Sequence, residues 1–199
     1  QEITEELEQK GIRLLHENQL NDEQKDFIQR FYLEKLNGST NPIWLSQIKE
    51  IGATADDGIF LAIKRMEWIE GKKKPKTDYA LIAMPDKEIG RFVRLPKSDE
   101  KENIMFLDDV IRYCLPMIFV GSGNCTYEAY SFKFTKDAEM EMDNDLGSGV
   151  MQKVARGVKS RKSGEPIRVI YDDSMPKDLL KHIMSRLNID TLDTIVSGG

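Results

Sequence analysis

The two histidines are the first side chains to consider for chemistry, because imidazole acts as a base and as a metal ligand near neutral pH. His16 follows an alternating apolar segment, and His182 lies in an amphipathic helical segment. Neither histidine has a Cys, Asp or Glu at a metal-ligand spacing such as HxxxH or HExxH. The spacing therefore favours a surface or packed histidine at both positions.

The two cysteines give no sign of a nucleophile. Cys114 lies on the apolar stripe of a predicted helix, which favours a packed thiol. Cys125 lies in a predicted loop, with no base or cation at short spacing that would activate its thiol. Two cysteines are also too few for a disulfide framework or a four-ligand zinc site. The cysteine content indicates a reducing, cytosolic compartment.

Three pairs of adjacent aspartates could supply two catalytic carboxylates: Asp56-Asp57, Asp108-Asp109 and Asp172-Asp173. Each pair lies next to a predicted element, where aspartate is common in caps and turns. Nothing in the sequence gives the two carboxylates of a pair different environments, as catalysis by two carboxylates requires. Asp108 or Asp109 is therefore predicted to cap the helix that follows.

The sequence motifs of common catalysts are absent. There is no GxSxG, GxGxxG or kinase catalytic-loop sequence, and Gly147-Ser148-Gly149 lacks the Lys and Ser/Thr of a phosphate-binding loop. We predict no catalytic, cofactor-binding or metal-binding residue in this chain.

Basic residues form four groups that could contact a polyanion. The groups are Lys72, Lys73, Lys74 and Lys76 at a predicted hairpin tip; Lys153, Arg156 and Lys159 on one side of a predicted helix; Arg91 and Arg94, which flank a predicted strand; and Lys133 and Lys136 on either side of Phe134-Thr135. A solvated surface is the more common role for each group.

Composition excludes several classes of protein. Of the 199 residues, 40% are hydrophobic and 32% charged, too apolar for a disordered chain. No window approaches the roughly 18 consecutive apolar residues of a membrane helix, and no signal peptide is visible. The net charge of -5 argues against a protein that coats duplex nucleic acid.

The hydrophobic pattern predicts helices and strands that are intermixed along the chain. Predicted strands cover 12–15, 59–69, 79–84, 91–95, 104–106, 127–134, 167–171 and 192–196; predicted helices cover 21–38, 108–119, 143–163 and 176–187, and 43–51 is left open between the two states. This mixture of strands and helices predicts a single α+β domain, with a mixed or antiparallel sheet and packed helices.

Both ends of the chain have the features expected of a segment taken from a longer protein. The chain starts with Gln1 rather than Met and stops at Gly199, just after an apolar run. We therefore expect this sequence to be a fragment.

Several segments, taken in order, resemble one family. They are Gly11-Ile12-Arg13-Leu14-Leu15, the capped helix with Phe31-Tyr32, Pro85-Asp86 through Arg91-Phe92-Val93-Arg94-Leu95-Pro96, Phe106 through Tyr113 with Ile118-Phe119, Ala129 through Glu139, Tyr171 through Pro176, and Asp193 through Val196. This set resembles the middle (head) domain of bacterial polyphosphate kinase. The resemblance implies a lead-in from a preceding domain at 1–10 and the middle domain at 11–199.

The resemblance implies a phosphotransferase as the full-length protein. Enzymes of this family reversibly transfer the terminal phosphate of ATP to polyphosphate, through a phosphohistidine and with magnesium. Their C-terminal domains carry that histidine and most ATP and metal contacts, and neither His16 nor His182 matches a family catalytic position. The implied role here is a non-catalytic scaffold and dimerisation domain, inactive and without a cofactor of its own.

The implied partners are the other domains of the same enzyme, a second or further copy of it, and polyphosphate. Nucleic acid and a membrane-spanning segment are not expected. The implied location is the cytoplasm, with peripheral membrane association open for the full enzyme.

Two alternatives stay open. The domain could bind part of the polyphosphate chain, with Arg91, Arg94, Lys133 and Lys136 as the contact residues. At position 136, where this chain has lysine, arginine is more common in the family. Lysine lacks the planar guanidinium group that binds a phosphate through two hydrogen bonds. An autonomous enzyme of another class would require the chain to be complete.

Overall fold

The computed structural model describes residues 2–47, 59–121, 123–136, 167–187 and 195–198. Its elements in chain order are α1 (Glu2–Gln9), β1 (Ile12–Leu15), α2 (Asp22–Phe31), β2 (Ile43–Trp44), β3 (Ile59–Glu67), β4 (Lys76–Ala83), α3 (Asp86–Ile89), β5 (Phe92–Leu95), β6 (Glu102–Phe106), α4 (Leu107–Ile118), β7 (Cys125–Lys136), β8 (Ile167–Asp172), α5 (Lys177–Leu187) and β9 (Ile195–Gly198). The predicted α+β class is confirmed.

The chain forms two compact units. The first comprises residues 1–47 with 60–129, and the second comprises residues 48–59 with 130–199. Among the described residues, no helix has both the length and the apolar character needed to cross a membrane.

A three-stranded sheet in the first unit has the strand order β1-β6-β5. Strand β1 runs parallel to β6, with Leu15 opposite Met105, and β5 runs antiparallel to β6, with Val93 opposite Met105. These three side chains are buried, so one face of the sheet lies in the core. The predicted edge strand before Pro96 is β5, and it is an edge strand of this sheet.

Helix α2 begins with the capping box that the sequence predicts. The Asn21 side chain accepts a hydrogen bond from the Gln24 backbone N–H at 2.9 Å, and the Gln24 side chain accepts one from the Asn21 N–H at 3.1 Å. The Gln24 amide also donates to the Pro96 carbonyl at 3.2 Å. The cap therefore connects the start of α2 to the end of β5.

The end of this helix is more complex than its periodicity predicts. The α-helix stops at Phe31, and a π-helical turn, Tyr32–Leu36, follows it. Gly38 then reverses the chain at a φ of 102°, a conformation that glycine adopts without strain.

The predicted hairpin over 59–84 is confirmed as the antiparallel pair β3 and β4. Lys76, predicted in the connecting loop, instead begins β4 opposite Glu67. Its Nζ lies 3.2 Å from Asp78, two positions along the same strand, an ion pair that extended backbone permits because alternate residues share a face. The segment left open at 43–51 contributes β2, which pairs with β4 through Trp44 and Ala80. Residues 48–58 lie outside the described part.

Helix α4 starts differently from the prediction that Asp108 or Asp109 caps it. The N-cap residue is Phe106, without a side-chain hydrogen bond, and both aspartates lie in the first turn. There they face the positive end of the helix dipole and reach Arg112 one turn later. Pro116 lies inside the helix, which continues beyond it.

In the second unit, β7 pairs antiparallel with β8, with Phe132 opposite Tyr171. Strand β9 pairs parallel with β8, with Val169 opposite Ile195. Helix α5 lies between β8 and β9 in the chain, as a parallel pair requires a long connection.

The predicted strands at 127–134 and 167–171 and the predicted helix at 176–187 are confirmed, with ends shifted by a few residues. Of the predicted strand at 192–196, residues 195 and 196 are described and lie in β9. The helix predicted at 143–163 lies outside the described residues, and so do Lys153, Arg156 and Lys159.

The two thiols have different surroundings. Cys114 is fully buried on α4, and burial raises the pKa of its thiol to about 12, because a low-polarity interior disfavours the thiolate. Cys125, predicted in a loop, is the first residue of β7 and is partly exposed.

We expect a thiol reagent such as DTNB to modify Cys125 in the folded protein at about pH 8 and to leave Cys114 unmodified. The raised pKa of Cys114 keeps it a thiol at that pH. Peptide mass mapping after a short reaction, with a urea-unfolded sample as the control, measures both positions. Rapid labelling of Cys114 in the folded chain would contradict its burial.

Candidate functional site

One candidate functional site is the face of the β1-β6-β5 sheet that lies opposite the buried Leu15, Val93 and Met105. We call it the open face. Its side chains follow from the register: Ile12, Leu14, Phe92, Arg94, Glu102, Ile104 and Phe106. All seven are at least partly exposed. Phe92 is 52% exposed, and its ring packs on that of Phe106 with centroids 4.7 Å apart. Five of the seven are apolar, which is uncommon for a solvated sheet face.

Charged side chains border the open face. Arg94 is 81% exposed, and its Nε lies 3.9 Å from Glu102 Oε2. Lys97 Nζ lies 2.5 Å from Glu102 Oε1. The Lys97 hydrogen bond is the largest cause of the lowered pKa of Glu102. Glu102 is therefore ionised and balances part of the positive charge at this edge.

The four predicted polyphosphate-contact residues are divided between the two units. Arg91 precedes β5, and Arg94 lies on it, in the first unit; Lys133 and Lys136 lie on the part of β7 that belongs to the second unit. Positions 133 and 136 belong to opposite faces of their strand, since strand positions alternate between faces. The strand geometry thus separates the two lysines that the sequence grouped together.

A cleft of about 470 Å³ in the first unit is the second candidate. Its lining includes Trp44, Gln47, Arg65, Lys76, Asp78 and Phe119. The Trp44 ring meets the Phe119 ring edge-on, with centroids 5.4 Å apart. This volume lies within the range of small-molecule sites.

Charged residues of β3 and β4 compensate one another beside this cleft. Arg65 lies opposite Asp78, and Glu67 lies opposite Lys76. Arg65 donates to Asp78 at 3.1 Å and to Glu67 at 3.2 Å, and Lys76 Nζ lies 3.2 Å from Asp78. These four formal charges sum to zero, so they do not attract an anion strongly.

The structure gives His16 a partner that the sequence did not indicate. His16 Nδ1 lies 2.9 Å from Asp109 Oδ2, although the two residues are 93 positions apart. Asp109 is 7% exposed, and its other oxygen accepts a hydrogen bond from Arg112. The search for a metal-ligand spacing missed this pair, because the two residues come from different elements. His182 lies exposed on α5.

The comparisons with known proteins agree with the resemblance that the sequence shows. A family model described as "Polyphosphate kinase middle domain" matches residues 23–199. This chain belongs to the polyphosphate kinase family. The family match covers all but the first 22 residues, and so it includes the open face strands β5 and β6.

Polyphosphate kinases of several bacteria are similar to this chain over its whole length. Identity is 31% for the protein of Salmonella typhimurium and 30% for that of Escherichia coli K12, each over 202 residues. The chain spans 28% of the length of these relatives. The crystal structure of polyphosphate kinase from Porphyromonas gingivalis matches 99% of this chain and 26% of that chain, with 27% identity and a TM-score of 0.73.

The charged group beside the cleft predicts a stability change. Replacing Arg65 by Met leaves Asp78 and Glu67 without their shared cation. We expect the free energy of unfolding to fall by about 1–3 kcal/mol, less than for a fully buried pair because both carboxylates are 28–30% exposed.

Urea unfolding of the 199-residue chain measures this change. The matched control is Arg30→Met on the exposed side of α2, which we expect to change stability by less than about 0.5 kcal/mol. Equal stability of the two variants would show that the Arg65 ion pairs contribute nothing.

Proposed function

We propose that this chain is a non-catalytic scaffold and dimerisation domain of a polyphosphate kinase. The complete enzyme reversibly transfers the terminal phosphate of ATP to polyphosphate, with Mg²⁺. Residues 1–10 are the lead-in from a preceding domain, and residues 11–199 are the middle domain. The open face carries this proposal, because a folded domain with an exposed apolar sheet face has a surface suited to another protein surface.

The composition of the open face supports assembly. Aromatic side chains are enriched at the centre of protein interfaces, where each buries a large area at a small cost in conformational entropy. Phe92 and Phe106 form such a pair. Arg94 and Glu102 border them and supply the polar rim that protein interfaces commonly have.

The charge around the open face supports a non-catalytic role. Phosphoryl transfer depends on positive charge concentrated around the transferred phosphate. Here Arg94 and Lys97 share the carboxylate of Glu102, which lowers their combined attraction for a phosphate. ATP and Mg²⁺ bind to other domains of the proposed cytoplasmic enzyme, and those domains are also its partners.

A charge in the open face tests the dimerisation proposal. We expect Phe92→Glu in the full-length protein to weaken self-association at least about tenfold, because a carboxylate then has to be buried in an apolar interface. Sedimentation equilibrium over a range of concentrations measures the change. The matched control is Leu33→Glu, since Leu33 is 58% exposed in the same unit but lies away from the sheet, in the π-helical turn.

Unchanged association of Phe92→Glu would remove the open face as the dimer surface. Loss of self-association in Leu33→Glu alone would instead place the dimer surface at the π-helical turn that contains Leu33.

A second candidate function is binding of the polyphosphate chain. The 81% exposure of the Arg94 side chain favours it, since an exposed guanidinium can reach an extended anion. In this proposal Arg91 and Arg94 act together, and Lys133 and Lys136 are further contacts on β7.

Fluorescence anisotropy with labelled long-chain polyphosphate tests this candidate in the full-length protein. We expect the double variant Arg91→Gln, Arg94→Gln to bind more weakly and to reduce the salt slope of log K by about 1 to 2, as two lost phosphate contacts do for nucleic acids. Lys87→Gln on α3 is a control with an exposed lysine. An unchanged salt slope in the double variant would exclude these arginines as contacts.

A further inference from the structure

His16 and Asp109 meet at the carboxyl edge of a parallel strand pair. Strands β1 and β6 are parallel, with Leu15 opposite Met105. His16 and Glu17 follow β1 directly, and Asp109 lies in the first turn after β6. The carboxyl ends of parallel strands are where open sheets commonly bind ligands.

Three potential metal ligands converge at this edge. His16, Glu17 and Asp109 each offer one ligand atom, and these atoms lie within 4.8 Å of one another. The 2.9 Å between His16 Nδ1 and Asp109 Oδ2 is shorter than the roughly 3.4 Å between two atoms that bind one tetrahedral ion at about 2.1 Å each, and a small rotation of the exposed His16 ring would supply the difference. Glu17 is exposed, so rotation of its side chain can bring its carboxylate oxygen closer to the other two ligand atoms.

Hydrogen bonds hold two of these ligands in place. The His16 backbone N–H donates to the Gln19 side chain at 2.9 Å, and the Gln19 backbone N–H donates to the His16 carbonyl at 3.0 Å. Arg112 binds the second oxygen of Asp109, so Oδ2 remains directed at His16. Such support of a ligand by a neighbouring group is a regular feature of metal sites.

We propose that His16, Glu17 and Asp109 bind one divalent transition-metal ion of the Zn²⁺ class. Imidazole nitrogen with two carboxylates is a donor set that suits Zn²⁺, whereas Mg²⁺ prefers oxygen ligands alone. For binding, neutral His16 carries its proton on Nε2 and presents the Nδ1 lone pair to the ion. The ion replaces the hydrogen bond to Asp109 and links the end of β1 to the start of α4.

The proposed metal site is independent of the proposed dimerisation surface. The open face lies on strands β1, β5 and β6, whereas the three ligands follow the strand ends. A metal ion here fixes the connection between β1 and α2 and needs no role in phosphoryl transfer. Failure of one proposal therefore leaves the other standing.

Zn²⁺ titration of the metal-free, full-length protein tests the site. Isothermal titration calorimetry should show a Zn²⁺ site, besides any metal sites of the other domains, that His16→Ala weakens at least about tenfold, as the loss of a supporting contact already costs 10–100-fold in such sites. Co²⁺ in place of Zn²⁺ should give visible absorption bands that disappear in the same variant. His182→Ala is the matched control, since it removes the other histidine of this chain.

Glu17→Gln provides an independent variant. Glu17 is exposed, so this change leaves the fold intact, which circular dichroism verifies, and it should weaken Zn²⁺ binding as well. Equal Zn²⁺ binding by the wild type, His16→Ala and Glu17→Gln would overturn the proposal. Binding that is lost only in His182→Ala, or a site that takes Mg²⁺ as strongly as Zn²⁺, would also overturn it.

Discussion

The parallel pairing of β1 with β6 is the constraint on which the first unit depends. It joins segments about 90 positions apart, with Ile12 opposite Glu102 and Leu15 opposite Met105. Closing such a long loop costs conformational entropy, and the buried face of the sheet, packed under α2 and α4, offsets that cost. Without this pairing, neither the open face nor the contact between His16 and Asp109 would exist.

The same sheet serves two purposes through its two faces. Leu15, Met105 and Val93 are removed from water on one face, which stabilises the domain at roughly 25 cal/mol for each Å² of apolar surface buried. Phe92 and Phe106 stay partly exposed on the other. A single alternating pattern thus builds the core and leaves an apolar surface on the other face.

Several charged side chains of the first unit form ion pairs with a residue on a neighbouring strand, in the loop that joins two strands or within one helical turn. Arg65 with Asp78 and Lys97 with Glu102 are examples. Such pairs add little stability at exposed positions, but they compensate the positive charge that a phosphate site would concentrate. This local pairing, more than the net charge of -5, sets how strongly these positions attract an anion.

The sequence by itself determined the local structure: the capping box at Asn21 and Gln24, the hairpin, the edge strand ending at Pro96 and the packed thiol of Cys114. Each depends on residues close together in the chain, which is why periodicity and capping rules suffice. Only the tertiary structure decided which distant strands pair, such as β1 with β6. That pairing brings Asp109 to His16 and assigns Phe92 to an open face, because both depend on contacts between distant segments.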